Sequence, residues 1–139
     1  FPVLIIGDGW QKSQLSKSVK HAFVYDPPYE HYNYFYNMMR VFCSVTSYDG
    51  GPIPLLESMS TGVYPVITNS GFAPDVIKSK DMGRIFQPFS TSNHICSLVR
   101  DSYNSAIDRN LLRQSILDYS FDSFCQNLTH KLTTLSINQ

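Results

Sequence analysis

Residues 48–75 read YDGGPIPLLESMSTGVYPVITNSGFAPD and combine a turn, a helical run, an apolar strand and a second polar loop. Asp49 and Glu57 lie eight positions apart in this segment, separated by two glycines and two prolines. The glycines allow positive φ angles and a close approach of ligand to backbone. Pro54 fits the first turn of a helix that we predict to end near Thr61. Because the amides and dipole of such a first turn favour anionic, oxygen-rich ligands, we predict a ligand site here.

Length and composition narrow the class of protein. The chain has 139 residues, enough for one domain with a real core. Its 11 basic and 11 acidic residues balance, which gives little electrostatic support for binding nucleic acid. No apolar run reaches the ~18 residues of a membrane-spanning helix. Because Phe1 already lies in an apolar strand pattern, we expect the chain to be a fragment of a longer protein.

The cysteines and histidines suggest no metal site. Cys43, Cys96 and Cys125 are odd in number and widely spaced, so we expect buried free thiols and a cytoplasmic location. The four histidines show no ligand spacing, and no cysteine pairs with them as a zinc site requires. We therefore expect no metal and no cofactor.

Apolar runs alternate with helical patterns through the first 90 residues, which predicts a parallel sheet with right-handed crossovers. The predicted strands are 2–6, 22–25, 41–45, 64–68 and 83–86. The predicted helices are 11–20, 29–39, 54–61, 92–105, 109–119 and 121–135, with a loop or short helix at 71–80. Asp122 is the expected cap of the last helix. The predicted fold class is α/β: a Rossmann-like, three-layer domain over residues 1–139 with a mostly parallel sheet and C-terminal helices.

Polar loops follow four of these strands. They are Gly7-Asp8-Gly9, Tyr25-Asp26-Pro27, Ser47-Tyr48-Asp49 and Asn69-Ser70-Gly71. Since ligands bind beyond the carboxyl ends of parallel strands, we expect all four loops along one edge of the sheet. A dinucleotide fingerprint is excluded, because its third glycine would fall at Lys12. An aspartate in a turn followed by a solvated glutamate on a helix would show the same spacing as Asp49 and Glu57. From the spacing alone, the two acids could therefore have no role in binding.

The segment around these acids resembles the donor-binding half of GT-B glycosyltransferases, in particular the retaining family 4. That family shows a serine, an acidic residue, a Gly-rich turn with proline, Glu-Ala-Met-Ala, then Gly, Pro-Val-Val and a Gly-rich loop ending in Pro-Glu. The matching runs here are SYDGGPIPLLESMS at 47–60, Gly62, PVI at 65–67 and GFAPD at 71–75, flanked by LIIGDG at 4–9 and GRIF at 83–86. The resemblance covers about residues 3–90 and implies the C-terminal half of a GT-B enzyme.

The resemblance also implies a role for each matching position. Asp49, the expected catalytic position, would bond hydroxyls of the transferred sugar, and Glu57 those of the ribose, since a carboxylate accepts two hydroxyl donors well. Backbone amides of Gly50, Gly51 and Ile53 would reach the sugar and diphosphate. Gly7 and Gly9 would pass near the phosphates, and Tyr25 would lie near the base.

The implied reaction is transfer of a hexose from a nucleotide diphosphate sugar to an unknown acceptor, with retention of configuration and without metal, in polysaccharide or glycoconjugate biosynthesis. The N-terminal acceptor domain of the same enzyme would be the missing partner, so this fragment alone is expected to be inactive. The expected location is cytoplasmic, with peripheral association at the inner membrane face left open.

Three departures from the family pattern keep an alternative open. Asp49 stands where the family has Glu, and Pro52 stands where it has Gly. The Arg and Lys that neutralise the leaving diphosphate lie upstream in the family, and Lys12, Lys17 and Lys20 do not match them. The rival is a non-catalytic Rossmann-like module that binds a nucleotide or a partner. A sugar-nucleotide epimerase is a third reading, but it would need a histidine in the cleft.

Overall fold

The structure, a computed structural model, describes residues 2–7, 9, 11–18 and 22–137. The strands are β1 Val3–Ile6, β2 Ala22–Tyr25, β3 Val41–Ser44, β4 Tyr64–Thr68 and β5 Arg84–Phe86. The helices are α1 Lys12–Ser18, α2 Tyr32–Met38, α3 Ile53–Ser60, α4 Ala73–Val76, α5 Ser92–Asn104, α6 Arg109–Ser115 and α7 Phe121–Ile137, with 3-10 turns at Tyr29–His31 and Leu117–Tyr119. All five strands lie within one residue of their predicted bounds.

The chain forms two compact units, residues 1–35 and residues 36–139. In the first unit, β1 and β2 are parallel, from Val3 opposite Ala22 to Ile6 opposite Tyr25. Helix α1 connects these two strands. This is the strand–helix–strand crossover that the apolar runs predict. The assignment of residues 1–139 to a single domain stays a prediction.

The second unit is built on a parallel sheet in the order β3-β4-β5. Val41 pairs with Tyr64, and Val66 pairs with Arg84. Every residue of the central strand β4 is buried, as expected for an apolar run covered on both faces of a parallel sheet. The parallel sheet and the C-terminal helices confirm the predicted α/β fold class.

Helix α3 joins β3 to β4 and turns one face into the core of this unit. Leu55 and Met59 on that face are fully buried. Gly62, just past the helix end, has φ +76°, and a Cβ there would lie 2.8 Å from Arg109 Cβ. The guanidinium of Arg113 donates to the carbonyl of Thr61 over 3.0 Å. Helix α3 is therefore fixed by apolar packing along its length and by α6 at its carboxyl end.

The structure corrects the expected burial of the cysteines. Cys43 and Cys96 are free but exposed, so the prediction of buried thiols was wrong for both; Cys125 is half-buried. Although Cys43 is exposed, partial burial of its thiol raises the pKa to about 11, and neighbouring Cys96 adds to the rise. That thiol is therefore protonated and weakly nucleophilic at neutral pH.

The carboxyl-terminal helices differ in detail from their predicted bounds. The helix predicted at 109–119 is α6 followed by a 3-10 turn. Ser120, rather than the expected Asp122, caps α7, since its hydroxyl accepts the Ser123 amide over 3.2 Å. Apolar side chains of α7 are exposed: Phe121, Phe124, Leu128, Leu132 and Leu135. Among the described residues, no helix combines the length and apolarity needed to cross a bilayer.

Candidate functional site

A cavity of about 460 Å³ lies where the three strands of the second unit end. Its lining residues are Ser47, Tyr48, Asp49, Gly50, Asn69, Ser70, Gly71 and Pro88. Residues 47–50 follow β3, residues 69–71 follow β4, and Pro88 follows β5. The predicted meeting of the Ser47-Tyr48-Asp49 and Asn69-Ser70-Gly71 loops at one edge is therefore confirmed. The loops after β1 and β2 belong to the first unit, and their place along the same edge stays a prediction.

Two of these loops touch so closely that only glycine fits at the contact. Gly71 has φ +51°, and a Cβ there would lie 2.6 Å from the carbonyl oxygen of Asp49 and 2.9 Å from Cδ of Pro52. Next to it, a Cβ on Gly51 would lie 3.1 Å from the ring of Phe72. The loop after β4 therefore fixes the backbone of the loop that carries Asp49.

Asp49 is half-buried in the cavity wall and holds its own turn. Its Oδ1 accepts the Gly51 amide over 3.0 Å, the side-chain-to-backbone bond typical of aspartate in turns. Since an ionised carboxylate has about four acceptor positions, this one bond leaves capacity for ligand hydroxyls.

Two of the three backbone amides predicted to reach the ligand donate inside the loop in this structure. The Gly51 amide donates to Asp49, and the Ile53 amide donates to the Gly51 carbonyl over 2.8 Å. Gly50 lines the cavity, with open space where a Cβ would be. That the amides of Gly51 and Ile53 donate hydrogen bonds to the ligand stays a prediction. Each amide would have to share its hydrogen between its present acceptor and the ligand, or leave its present acceptor.

Glu57 lies on α3, half-buried and outside the lining of the cavity. The phenol of Tyr36, a residue in α2, donates to its Oε2 over 3.0 Å. Tyr36 is buried at 7% exposure, and its ring meets Phe42 edge to face at 6.1 Å. Tyr36 lies in the helix predicted at 29–39, and the sequence analysis gave it no role in the site. The signal available in the sequence was its phenol hydroxyl, which needs a hydrogen-bond partner when a tyrosine ring is buried.

A second aromatic pair borders the cavity and was also missed. Tyr48, in the lining, meets Phe89 edge to face at 6.5 Å. The two side chains are 86% and 81% exposed. Phe89 has φ +64°, an uncommon angle for a bulky residue. The backbone after β5 therefore places an exposed ring beside Tyr48.

The first unit contains the remaining predicted site residues. Gly7 follows β1 with φ +138°, a conformation that favours glycine, and among the described residues no group lies within 4 Å of a would-be Cβ on Gly7 or Gly9. Tyr25 ends β2. Open backbone after a strand is compatible with phosphate contact, and the roles of these three residues stay predictions.

No cluster of three or more His, Cys, Asp or Glu within the described part of the chain has an arrangement that could hold a metal ion. The polar part of the cavity lining consists of the carboxylate of Asp49, hydroxyl and amide side chains, and loop backbone. Such groups bind polyhydroxyl ligands through hydrogen bonds to carboxylates, which are stronger than bonds between neutral groups.

The chain is similar to solved glycosyltransferases in fold. It superposes on the apo form of the lipopolysaccharide outer core galactosyltransferase WaaB with TM-score 0.78 at 16% identity, covering 96% of this chain and 40% of that one. It superposes on a glycosyltransferase from Rickettsia africae ESF-5 with TM-score 0.69 at 14% identity, covering 100% and 41%. The chain thus spans about two fifths of the length of these structures. No curated protein matches it.

The sequence profile of the family described as Glycosyl transferases group 1 matches residues 1–114, which is most of the chain. The match covers both strands of the first unit and the whole sheet of the second, including the cavity and the helix that carries Glu57. It agrees with the GT-B fold of the structural neighbours and with the resemblance of residues 3–90. The chain belongs to the group 1 glycosyltransferases.

Proposed function

We propose that the chain is the donor-binding domain of a retaining glycosyltransferase whose co-substrate is a nucleotide diphosphate sugar. The observation that carries the proposal is the placement of Asp49 in a cavity at the carboxyl ends of three parallel strands. The Gly71 contact fixes that placement before any ligand binds. A fixed carboxylate loses little freedom when it receives sugar hydroxyls, which favours binding and positioning.

In the proposed reaction, the bond between the anomeric carbon and the phosphate oxygen breaks, and its electron pair leaves with the nucleoside diphosphate. An acceptor hydroxyl oxygen forms the new bond on the same face of the sugar and passes its proton to the departing diphosphate. Asp49 orients the transferred hexose, and Glu57 accepts hydrogen bonds from the ribose hydroxyls. We propose that the reaction uses no metal, and activity that persists in EDTA would support this.

The complete enzyme would add an acceptor-binding domain, and the chain alone would bind donor but turn nothing over. We place the enzyme in the cytoplasm, in the synthesis of a polysaccharide or glycoconjugate. The 40% coverage of the WaaB chain supports a further domain. Peripheral association with the inner membrane face is a part of the proposal that flotation with membrane vesicles tests.

A ligand titration tests donor binding. UDP, GDP and ADP are added to the full-length protein while its melting temperature is followed. We expect one of them to stabilise the protein by about 2.7 kcal/mol at a hundredfold excess over its dissociation constant. Glu57→Gln should reduce that stabilisation, whereas Asp118→Asn, at an exposed site beyond α6, should leave it unchanged. No shift with any of the three nucleotides would contradict the proposal.

A non-catalytic module is the second candidate, and the loop geometry favours it at one point. Asp49, Gly51 and Ile53 satisfy one another within the loop, so the turn is stable without ligand. A module that kept the fold but lost the chemistry would show such a self-contained loop. It would bind nucleotide or a partner but would transfer no sugar when assayed as the full-length protein.

A further inference from the structure

Tyr36 makes the side-chain contact that distinguishes Glu57 from an ordinary helix-surface glutamate. The two residues are 21 positions apart, and the phenol reaches Glu57 Oε2 at 3.0 Å. An exposed glutamate samples many rotamers, and fixing it costs conformational entropy. A hydrogen bond from a buried group removes part of that freedom before a ligand arrives.

The ring of Tyr36 is itself held by the sheet. It is 7% exposed and meets the ring of Phe42, a β3 residue, at 6.1 Å and 65°. Edge-to-face aromatic pairs of this kind are favourable beyond their buried area. Phe42 in β3 contacts the ring of Tyr36, and the phenol of Tyr36 donates to Glu57. The position of the Glu57 carboxylate on α3 therefore depends on that of β3.

The bond uses only part of the acceptor capacity of Glu57. A carboxylate offers about four acceptor positions, and a phenol occupies one of them. A hydrogen bond to a charged acceptor is stronger and shorter than a neutral one, so it is suited to fixing a side chain. The bond to Tyr36 by itself is therefore compatible with hydroxyl donors on the same carboxylate.

We propose that Tyr36 is a positioning residue for the donor nucleotide, which orients the Glu57 carboxylate toward the ribose hydroxyls. The inference rests on the proposed function, in which Glu57 is the ribose contact. It adds a residue that acts through Glu57 and touches no substrate. It also attributes the preference for a ribonucleotide over a deoxy analogue to two side chains, Tyr36 and Glu57.

Ribose preference is the readout, because a purely structural bond would not change it. The full-length enzyme is titrated with the nucleoside diphosphate that stabilises it most and with the 2′,3′-dideoxy form of the same nucleotide. The ratio of the two dissociation constants measures how well the ribose hydroxyls are recognised. General destabilisation would weaken both ligands alike and leave the ratio unchanged.

Tyr36→Phe removes the hydroxyl and keeps the ring. We expect it to weaken the ribonucleotide by about fivefold, the scale of one net hydrogen bond, and to leave the dideoxy form unchanged. Glu57→Gln should reduce the ratio further. The matched control is Tyr64→Phe: Tyr64 is also buried, and its phenol donates to the carbonyl of Lys80, far from either acid in sequence. That variant should keep the wild-type ratio.

The outcomes separate the two proposals. If Glu57→Gln lowers the ratio and Tyr36→Phe does not, the positioning role is overturned and the ribose role of Glu57 stands. If Glu57→Gln leaves the ratio unchanged, the ribose role itself fails and the positioning role fails with it. If Tyr64→Phe lowers the ratio as much as Tyr36→Phe, the effect is structural and the inference is wrong.

A second variant keeps the test decisive if Tyr36→Phe folds poorly. Difluorotyrosine at position 36 retains the ring and hydroxyl but lowers the pKa of the phenol. Once ionised, the phenol cannot donate to a carboxylate. The ribose preference should then fall as pH rises through the phenol midpoint, followed by its absorbance, while the wild-type preference stays constant over that range. A preference independent of pH would overturn the inference.

Discussion

The loop that carries Asp49 and the helix that carries Glu57 are adjacent in sequence but are held by different forces. Asp49 accepts the amide of Gly51, and its carbonyl lies against Gly71, so backbone geometry sets its place. Glu57 lies on a helix fixed by Leu55 in the core, and its carboxylate accepts a phenol from α2.

This difference determines which substitutions of neighbouring residues would displace each acid. A backbone-defined turn fails when a glycine gains a side chain at positive φ, even if every acid is retained. A carboxylate held by packing and by a phenol fails when a core residue or a hydroxyl is removed. Three substitutions, in order of decreasing effect on stability, test whether the two halves of the site are independent in this way.

Leu55→Ala tests the helix half. Leu55 is fully buried, so its truncation should lower the free energy of unfolding by about 3 kcal/mol through lost burial and a residual cavity. Denaturant unfolding measures this, with Leu111→Ala as the control, since Leu111 is 38% exposed. Affinity for the bare nucleoside diphosphate should also fall, because α3 carries Glu57, whereas the additional affinity contributed by the sugar should be unchanged. A loss below about 1 kcal/mol would mean that core packing does not hold α3.

Gly71→Ala tests the loop half. A non-glycine residue at φ +51° costs about 1–2 kcal/mol, and the new Cβ would also lie 2.6 Å from the Asp49 carbonyl oxygen. We expect a loss of about 2 kcal/mol in unfolding free energy, together with weaker binding of the sugar nucleotide than of the bare nucleoside diphosphate. Calorimetric titration of both ligands measures the difference.

Gly50→Ala is the matched control for this substitution. Gly50 lies in the same cavity wall, and its would-be Cβ meets nothing within 4 Å. It should therefore fold as stably as the wild type. If both alanine variants were equally stable, the contact between the loops would not be what fixes the turn that carries Asp49.

Asp49→Asn is the mildest change. The asparagine carbonyl can still accept the Gly51 amide, so the unfolding free energy should change by less than about 0.5 kcal/mol. Loss of the charge should still weaken sugar hydroxyl binding, because charge-assisted bonds are about twice as strong as neutral ones. Sugar-nucleotide affinity and melting temperature are measured together. Asp49→Ala, which also removes the turn bond, should lower both.

Sequence patterns predicted the elements well because they depend on local chemistry. The apolar run 64–68 predicts a fully buried strand, and the structure confirms β4 over those residues. Pro54 in the first turn predicts helix α3, which begins at Ile53. The cap of α7 was misplaced by two residues, at Asp122 instead of Ser120, because serine and aspartate satisfy the same amides and only the backbone selects between them.

The exposure of the cysteines could not be predicted in the same way. Cys43 belongs to an apolar strand, and an apolar neighbourhood in sequence indicates burial. The structure leaves Cys43 exposed, in the first strand of the order β3-β4-β5. Strand order is a property of the assembled sheet, so the burial of an individual strand is settled only there.

The sequence by itself determined a parallel α/β domain, its family and the positions of two acids on either side of a proline-bearing turn, because periodicity, turn residues and motif spacing are written along the chain. The tertiary structure alone decided how those acids are held. Gly71 meets Asp49 from 22 residues away, and Tyr36 reaches Glu57 across 21. Contacts at such separations depend on the closure of crossovers and the packing of side chains, which no local pattern encodes.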